Sequence, residues 1–225
     1  LQMCFSAEAS LTAYILGSIG SLYLLWKGDK YDKHIGLFSL TFIQVQLGEF
    51  LMWIDKNCNK NINHYATIFV EYIVYFQPLS IIVGALLFKT TNISNNLLYL
   101  FLLILIIPLI KYTINIAYNK RKLCSKTINP FGHLQWDTIT KFHDCIQNWW
   151  IFMFSIWLFV KNKKGIFVFI CSIISLLFGL TNNFKFNFNQ WESKWCFIGV
   201  SLPFLIIIYN NINKNFGNFL KRFKI

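Results

Sequence analysis

Residues 97–118 read LLYLFLLILIIPLIKYTINIAY, an apolar run with a single charged residue, Lys111. As an α-helix, a run of this length crosses the ~30 Å hydrocarbon core of a bilayer. The whole chain is similar in character, because 56% of its 225 residues are hydrophobic and only 13% are charged. This composition indicates a polytopic membrane protein, and it excludes a soluble enzyme, a secreted disulfide scaffold and a nucleic-acid-binding module.

Further apolar segments on both sides of this run predict one transmembrane domain, an all-α bundle of seven transmembrane helices. The connecting segments are short except for 119–139, so no loop is long enough for a separate soluble domain. In the basic tail, 213–225, apolar and basic side chains recur at helical spacing, which predicts an amphipathic helix in the membrane interface. The predicted spans are 7–26, 35–54, 66–88, 97–118, 140–160, 165–183 and 195–212.

The net charge of +12 comes from Lys and Arg residues clustered at the ends of the apolar runs. Such clusters are typical of membrane anchors, so we expect the lipid bilayer as partner and no nucleic acid. Dense clusters in the loops 27–34 and 161–164 and in the tail favour an N-terminus outside and a C-terminus in the cytoplasm. Asp29, Asp32 and His34 are then expected in or beside the first cytosolic loop. The sequence leaves open whether the bundle forms a homo-oligomer.

The first predicted span carries small side chains at every fourth position: Ala9, Ala13, Gly17 and Ser21. Residues with this spacing lie on one stripe of a helix, where small side chains let a neighbouring backbone approach closely. We therefore expect tight packing of the first helix.

Four carboxyl groups fall inside or at the start of predicted spans: Glu8, Glu49, Glu71 and Asp144. An ionisable side chain in a membrane is costly and is usually found at a cavity, a partner or a pathway. The predicted topology places all four near the same end of the bundle, so we expect an outward-facing, water-accessible vestibule. Lys111 is expected either to snorkel or to act as a counter-ion. Polar and aromatic residues expected to line the vestibule are Gln46, Tyr75, Gln77 and Asn148.

These carboxyl groups favour a transporter or channel that conducts a cation, a proton or a small polar solute. Neighbouring buried carboxyls share protons, as proton-coupled transport requires. Pro78 or Pro203, each within a predicted span, would permit gating. An interfacial position of the acids, among headgroups and lysines, is the alternative interpretation. A receptor or sensor is another possible function of a seven-helix chain.

An intramembrane enzyme or metal-binding protein is a further alternative, because His143 precedes Asp144 and Cys145. Adjacent helical residues point about 100° apart, so these three do not converge on one atom. The candidate metal ligands are therefore His143 with Glu49 or Glu71, and the sequence leaves the identity of any metal or cofactor unknown. Cys58 and Cys124, in the two outer loops, are candidates for a disulfide, with free thiols as the alternative.

The segment Met3-Cys4-Phe5-Ser6 opens a pattern that continues with Gln46-Leu47-Gly48-Glu49-Phe50 and Trp195-Cys196. In these patches the chain resembles a group of small multi-helix membrane proteins of bacteria and large DNA viruses with an N-terminal MCFS motif. The resemblance implies a membrane protein in which Cys4, Glu8 and Glu49 belong to the defining site, and it implies no activity.

Overall fold

The computed structural model describes residues 6–127, 134–137, 156–181 and 199–222. Within these ranges the chain forms α-helices and two strands of two residues each, joined by turns and loops. The helices are α1 (Ala7–Lys27), α2 (Lys30–Ile54), α3 (Ile62–Phe88), α4 (Asn95–Tyr118), α5 (Lys163–Thr181) and α6 (Leu202–Arg222). Strands β1 (Lys126–Thr127) and β2 (Leu134–Gln135) pair antiparallel, with Lys126 opposite Gln135.

Among the described residues, α1 to α4 are long and apolar enough to cross a membrane. They confirm the prediction of membrane-length helices for the first four predicted spans. The most apolar of these helices is α4, whose most apolar 18-residue stretch has a mean hydropathy of 2.4. The buried residues of α4 are Leu98, Leu105 and Tyr112. Because these three residues recur every two turns, they form one narrow stripe, and the rest of α4 presents an apolar surface suited to lipid.

Two helices begin several residues before their predicted starts, because nearby side chains satisfy their first backbone amides. At the start of α2, Asp29 and Asp32 form a reciprocal capping box. At the start of α3, the Asp55 carboxylate accepts bonds from the amides of Asn59, Lys60 and Asn63. Polar residues expected in loops therefore belong to, or cap, the transmembrane helices.

Residues 140–155 of the predicted fifth span lie outside the described residues, and Val160 at the end of that span forms a β-bridge with Thr91. Residues 195–198 of the predicted seventh span also lie outside the described residues. Helix α6 begins at Leu202 and continues to Arg222, so the helix has no break at the boundary predicted after residue 212.

Small residues bring the first three helices close together. Ala13, Gly17 and Ser21 of the predicted stripe are buried, and a Cβ at Gly17 would lie 2.7 Å from Ile43 Cδ1 of α2. Gly48 of α2 packs against Val70, and Gly84 of α3 packs against the His34 ring. These contacts set α2 antiparallel to α3 and bring their polar turns side by side.

Candidate functional site

Glu49 lies on α2 inside the helical bundle, and only 1% of its surface is exposed. Gln46, one turn earlier, donates from Nε2 to Glu49 Oε2 at 2.9 Å. Trp136, next to strand β2, donates from Nε1 to Glu49 Oε1 at 3.3 Å. Both oxygens of the carboxylate thus accept hydrogen bonds from neutral donors.

Glu71 lies on α3 and is equally buried, with 1% of its surface exposed. The Tyr112 hydroxyl donates a hydrogen bond to Glu71 Oε2, which links α3 to α4. The Tyr112 ring lies 5.1 Å from the rings of both Tyr72 and Tyr75, measured between centroids. This aromatic group fixes the hydroxyl that faces the carboxylate.

The two carboxylates occupy neighbouring turns of antiparallel helices. Gly48 directly precedes Glu49 and packs against Val70, which directly precedes Glu71. We call Gln46, Glu49, Glu71, Tyr112 and Trp136 the carboxylate cluster. It draws on three candidate membrane spans and on the segment that follows α4.

The segment that follows α4 is fixed over the ends of α2 and α3. Cys58 and Cys124, the two outer-loop cysteines singled out in the sequence, are joined by a disulfide with a Cα–Cα distance of 5.8 Å. Asn63 of α3 donates to the Ser125 carbonyl at 2.9 Å, and Thr67 shares a 2.8 Å hydroxyl hydrogen bond with Ser125. These bonds hold the strand that pairs with β2, and hence hold Trp136 near Glu49.

The predicted vestibule is closed in this structure. Gln46, Glu49, Glu71 and Gln77 are each at most 1% exposed, so the expectation of water-accessible acids is corrected to an enclosed cluster. Trp136 contacts Glu49 from the segment that follows α4, and Tyr112 of α4 contacts Glu71. The length of that loop was visible in the sequence, but its hydrogen bonds to α3 were not.

Two other predicted site residues, Glu8 and Lys111, are not members of the carboxylate cluster. Glu8 is exposed in the first turn of α1, and Lys111 is exposed on α4 and forms no ion pair within the described residues. Tyr75 is half-buried and contacts Tyr112. His143, Asp144 and Asn148 lie outside the described residues.

A second buried polar group, missed by the sequence analysis, lies where α5 meets the α1–α2 turn. The Lys164 ammonium lies 2.8 Å from Asp29 Oδ2 and 2.6 Å from Asp32 Oδ1. Asn210 of α6 adds a 3.0 Å bond to Asp32 Oδ2. We call these four residues the ion-pair cluster. The sequence placed Asp29 and Asp32 in a solvated loop, whereas Asp32 is 4% exposed and Lys164 is 7% exposed.

Burial at the α1–α2 turn favours the protonated form of Asp29, but the Lys164 hydrogen bond and charge and the amides of Tyr31 and Asp32 outweigh it. The pKa of Asp29 is therefore below its ordinary value. The spacing of two aspartates three residues apart was a usable signal for the cap. The sequence around Asp29 and Asp32 gave no signal that Lys164 or Asn210 would contact them.

His34 also departs from the expectation of a cytosolic flank, because it is fully buried between α2 and α3. Its Nε2 lies 2.8 Å from the Ile81 carbonyl, and its Nδ1 lies 2.7 Å from Thr90 Oγ1. Since a carbonyl only accepts, Nε2 carries the proton and Nδ1 accepts from the threonine hydroxyl. Both ring nitrogens are thus used to join the helices.

The described part of the chain contains no group of three His, Cys, Asp or Glu side chains placed to hold a metal ion. Comparison of the chain with protein-family models, with curated proteins and with solved structures finds no match.

Proposed function

We propose that this chain is an integral membrane protein that conducts or transports a cation, a proton or a small polar solute through the carboxylate cluster. The observation that supports this function is the burial of Glu49 and Glu71, each 1% exposed, within candidate membrane spans. An ionised acid within a membrane span costs several kcal/mol unless another group compensates its charge. Acids in such positions usually belong to a functional pathway.

The chemistry of the described donors supports reversible binding. Gln46, Trp136 and Tyr112 are neutral and donate hydrogen bonds that stabilise and orient carboxylate oxygens of Glu49 and Glu71. A carboxylate attracts a proton or a cation more strongly in a low-dielectric site than in water. A movement of the segment that carries Trp136, or of α4, would admit and release the proton or cation.

The proposed topology has seven spans, with the N-terminus outside and the C-terminus in the cytoplasm. The disulfide between Cys58 and Cys124 supports this orientation, because disulfides persist on the oxidising side of a membrane. The C-terminal part of α6 would lie in the cytoplasmic interface through its apolar and basic residues. The bilayer is the proposed partner, with assembly into homo-oligomers and no binding of nucleic acid.

The test is flux of protons and alkali cations by the purified full chain in liposomes. Glu49→Gln and Glu71→Gln preserve the side-chain shape while replacing one acceptor oxygen by an NH2 group and removing the charge, so each is expected to lower flux by at least about tenfold. Unchanged flux in both variants, with wild-type flux present, would overturn the proposal, as would the absence of wild-type flux under every cation and pH gradient.

Gln44 provides a matched control on the same helix. It lies in an apolar groove of about 860 Å³ between α2, α3 and α4, and its Nε2 donates to the Leu40 carbonyl of its own helix. Gln44→Leu is expected to leave flux unchanged, whereas Gln46→Leu removes a donor from Glu49 and is expected to lower it.

A further inference from the structure

Gln77 of α3 is a buried amide whose hydrogen-bonding capacity is unused. It is 1% exposed, and neither Oε1 nor Nε2 has a partner within the described residues. An amide buried without a partner costs about 1–3 kcal/mol on protein mutational scales. Such a group in the core of a membrane helix indicates a ligand, because bilayer hydrocarbon supplies no donors or acceptors.

Gln77 lies midway along the contact between α2 and α3. It is about two helical turns from Val70, which packs against Gly48, and about two turns from Gly84, which packs against His34. Positions separated by two turns share a helix face, so Gln77 is on the face of α3 that meets α2. It therefore lies between the carboxylate cluster and His34, near the middle of a candidate span.

Pro78 adds a second acceptor at this level. It lies inside α3 and has no N–H, so the carbonyl of Val74 lacks the donor that a regular helix supplies to it. Val74 is itself buried. Helical side chains lean toward the N-terminus, which brings the Gln77 amide toward the turn that contains Val74. Glu71 lies three residues before Val74, with its carboxylate against the Tyr112 hydroxyl of α4.

The geometry points to a binding site for a partly hydrated alkali cation at Gln77 Oε1 and the Val74 carbonyl. Both ligands are neutral oxygens, which hard cations accept. The site suits a monovalent ion, because divalent cations are usually held by several carboxylates. The amide Nε2 is left to a water molecule that accompanies the ion. This inference deepens the proposed function by naming its cargo and the step of the pathway beyond Glu71.

The experiment is equilibrium binding of radiolabelled sodium and rubidium to the purified full chain in detergent. Gln77→Met replaces the amide with an apolar side chain of similar length, so the fold should lose no stability while ion affinity falls at least about tenfold. Pro78→Ala returns an N–H to the Val74 carbonyl and is expected to weaken binding by a smaller factor. Gln44→Met is the control and should bind as the wild type does.

Saturable wild-type binding that Gln77→Met abolishes, at an unchanged or raised melting temperature, supports the site. Absence of saturable binding in the wild type overturns it, and so does wild-type affinity in Gln77→Met. The two proposals fail separately. Flux lost in Glu71→Gln with affinity kept in Gln77→Met overturns the cation site alone, whereas binding lost in Gln77→Met with flux unchanged in both carboxylate variants overturns the proposed function alone.

Discussion

The carboxylate cluster and the ion-pair cluster both bury acids, but the groups that the structure describes around those acids differ. Asp32 lies 2.6 Å from the Lys164 ammonium group, which compensates its charge. Glu49 and Glu71 accept hydrogen bonds from an amide, an indole and a hydroxyl, which orient the carboxylates. A buried ion pair joins elements of the fold, whereas oriented carboxylates within candidate membrane spans are suited to the proposed pathway.

The largest effect is expected from Lys164→Met. This change leaves Asp32 buried without its cation and removes the bridge between α5 and the α1–α2 turn. Breaking a buried pair in this way costs about 3–5 kcal/mol, which thermal or denaturant unfolding in detergent would measure. The exposed neighbour Lys163 is the matched control, since Lys163→Met should change stability little. Equal stability of both variants would show that the ion-pair cluster does not hold the helices together.

A smaller effect is expected from Tyr112→Phe, which removes the hydroxyl that donates to Glu71. A hydrogen bond to a charged group contributes about 1.5–3 kcal/mol, so its loss should lower both the stability in detergent and the flux in liposomes. Tyr72 is the control, because its hydroxyl bonds Thr113 at 3.1 Å on an exposed surface of the bundle. If Tyr72→Phe changes flux as much as Tyr112→Phe does, the Glu71 contact has no special role.

The smallest effect concerns acid stability of the ion-pair cluster. The pKa of Asp29 is lowered from its ordinary 3.8, so its contribution is present above that value and is lost as pH falls through the lower, folded pKa. The side chain is 52% exposed, so we expect less than about 1 kcal/mol. Unfolding midpoints of the wild type and of Asp29→Asn should therefore converge at acid pH. A constant difference between them down to about pH 3 would contradict this assignment.

Much of the architecture around Glu49 was predictable from local spacing. Gln46 and Glu49 are three residues apart on one helix, which places them on one face. The buried stripe of α4, Leu98, Leu105 and Tyr112, recurs every seven residues, so Tyr112 had a signal that the neighbouring Lys111 obscured. Trp136 had none, because a loop indole acquires its partner only when the disulfide-linked segment folds over α2 and α3.

The ion-pair cluster was not predictable either, because its members are distant in sequence and meet only in the folded chain. A lysine at the start of an apolar run is usually a solvated anchor, and only the packing of α5 against the α1–α2 turn brings Lys164 to Asp32. Likewise, His34 gains its role from Ile81 and Thr90, which lie far from it in sequence. Helix faces follow from sequence spacing, whereas contacts between distant helices depend on the packed structure.

In the proposed function, the buried carboxylates Glu49 and Glu71 provide the pathway. Its most direct measurement is cation and proton flux in liposomes containing the wild type, Glu49→Gln or Glu71→Gln, with Gln44→Leu as control. We predict flux in the wild type and in the control, and a loss of at least about tenfold in each carboxylate variant. Wild-type flux that persists in both carboxylate variants would contradict the account.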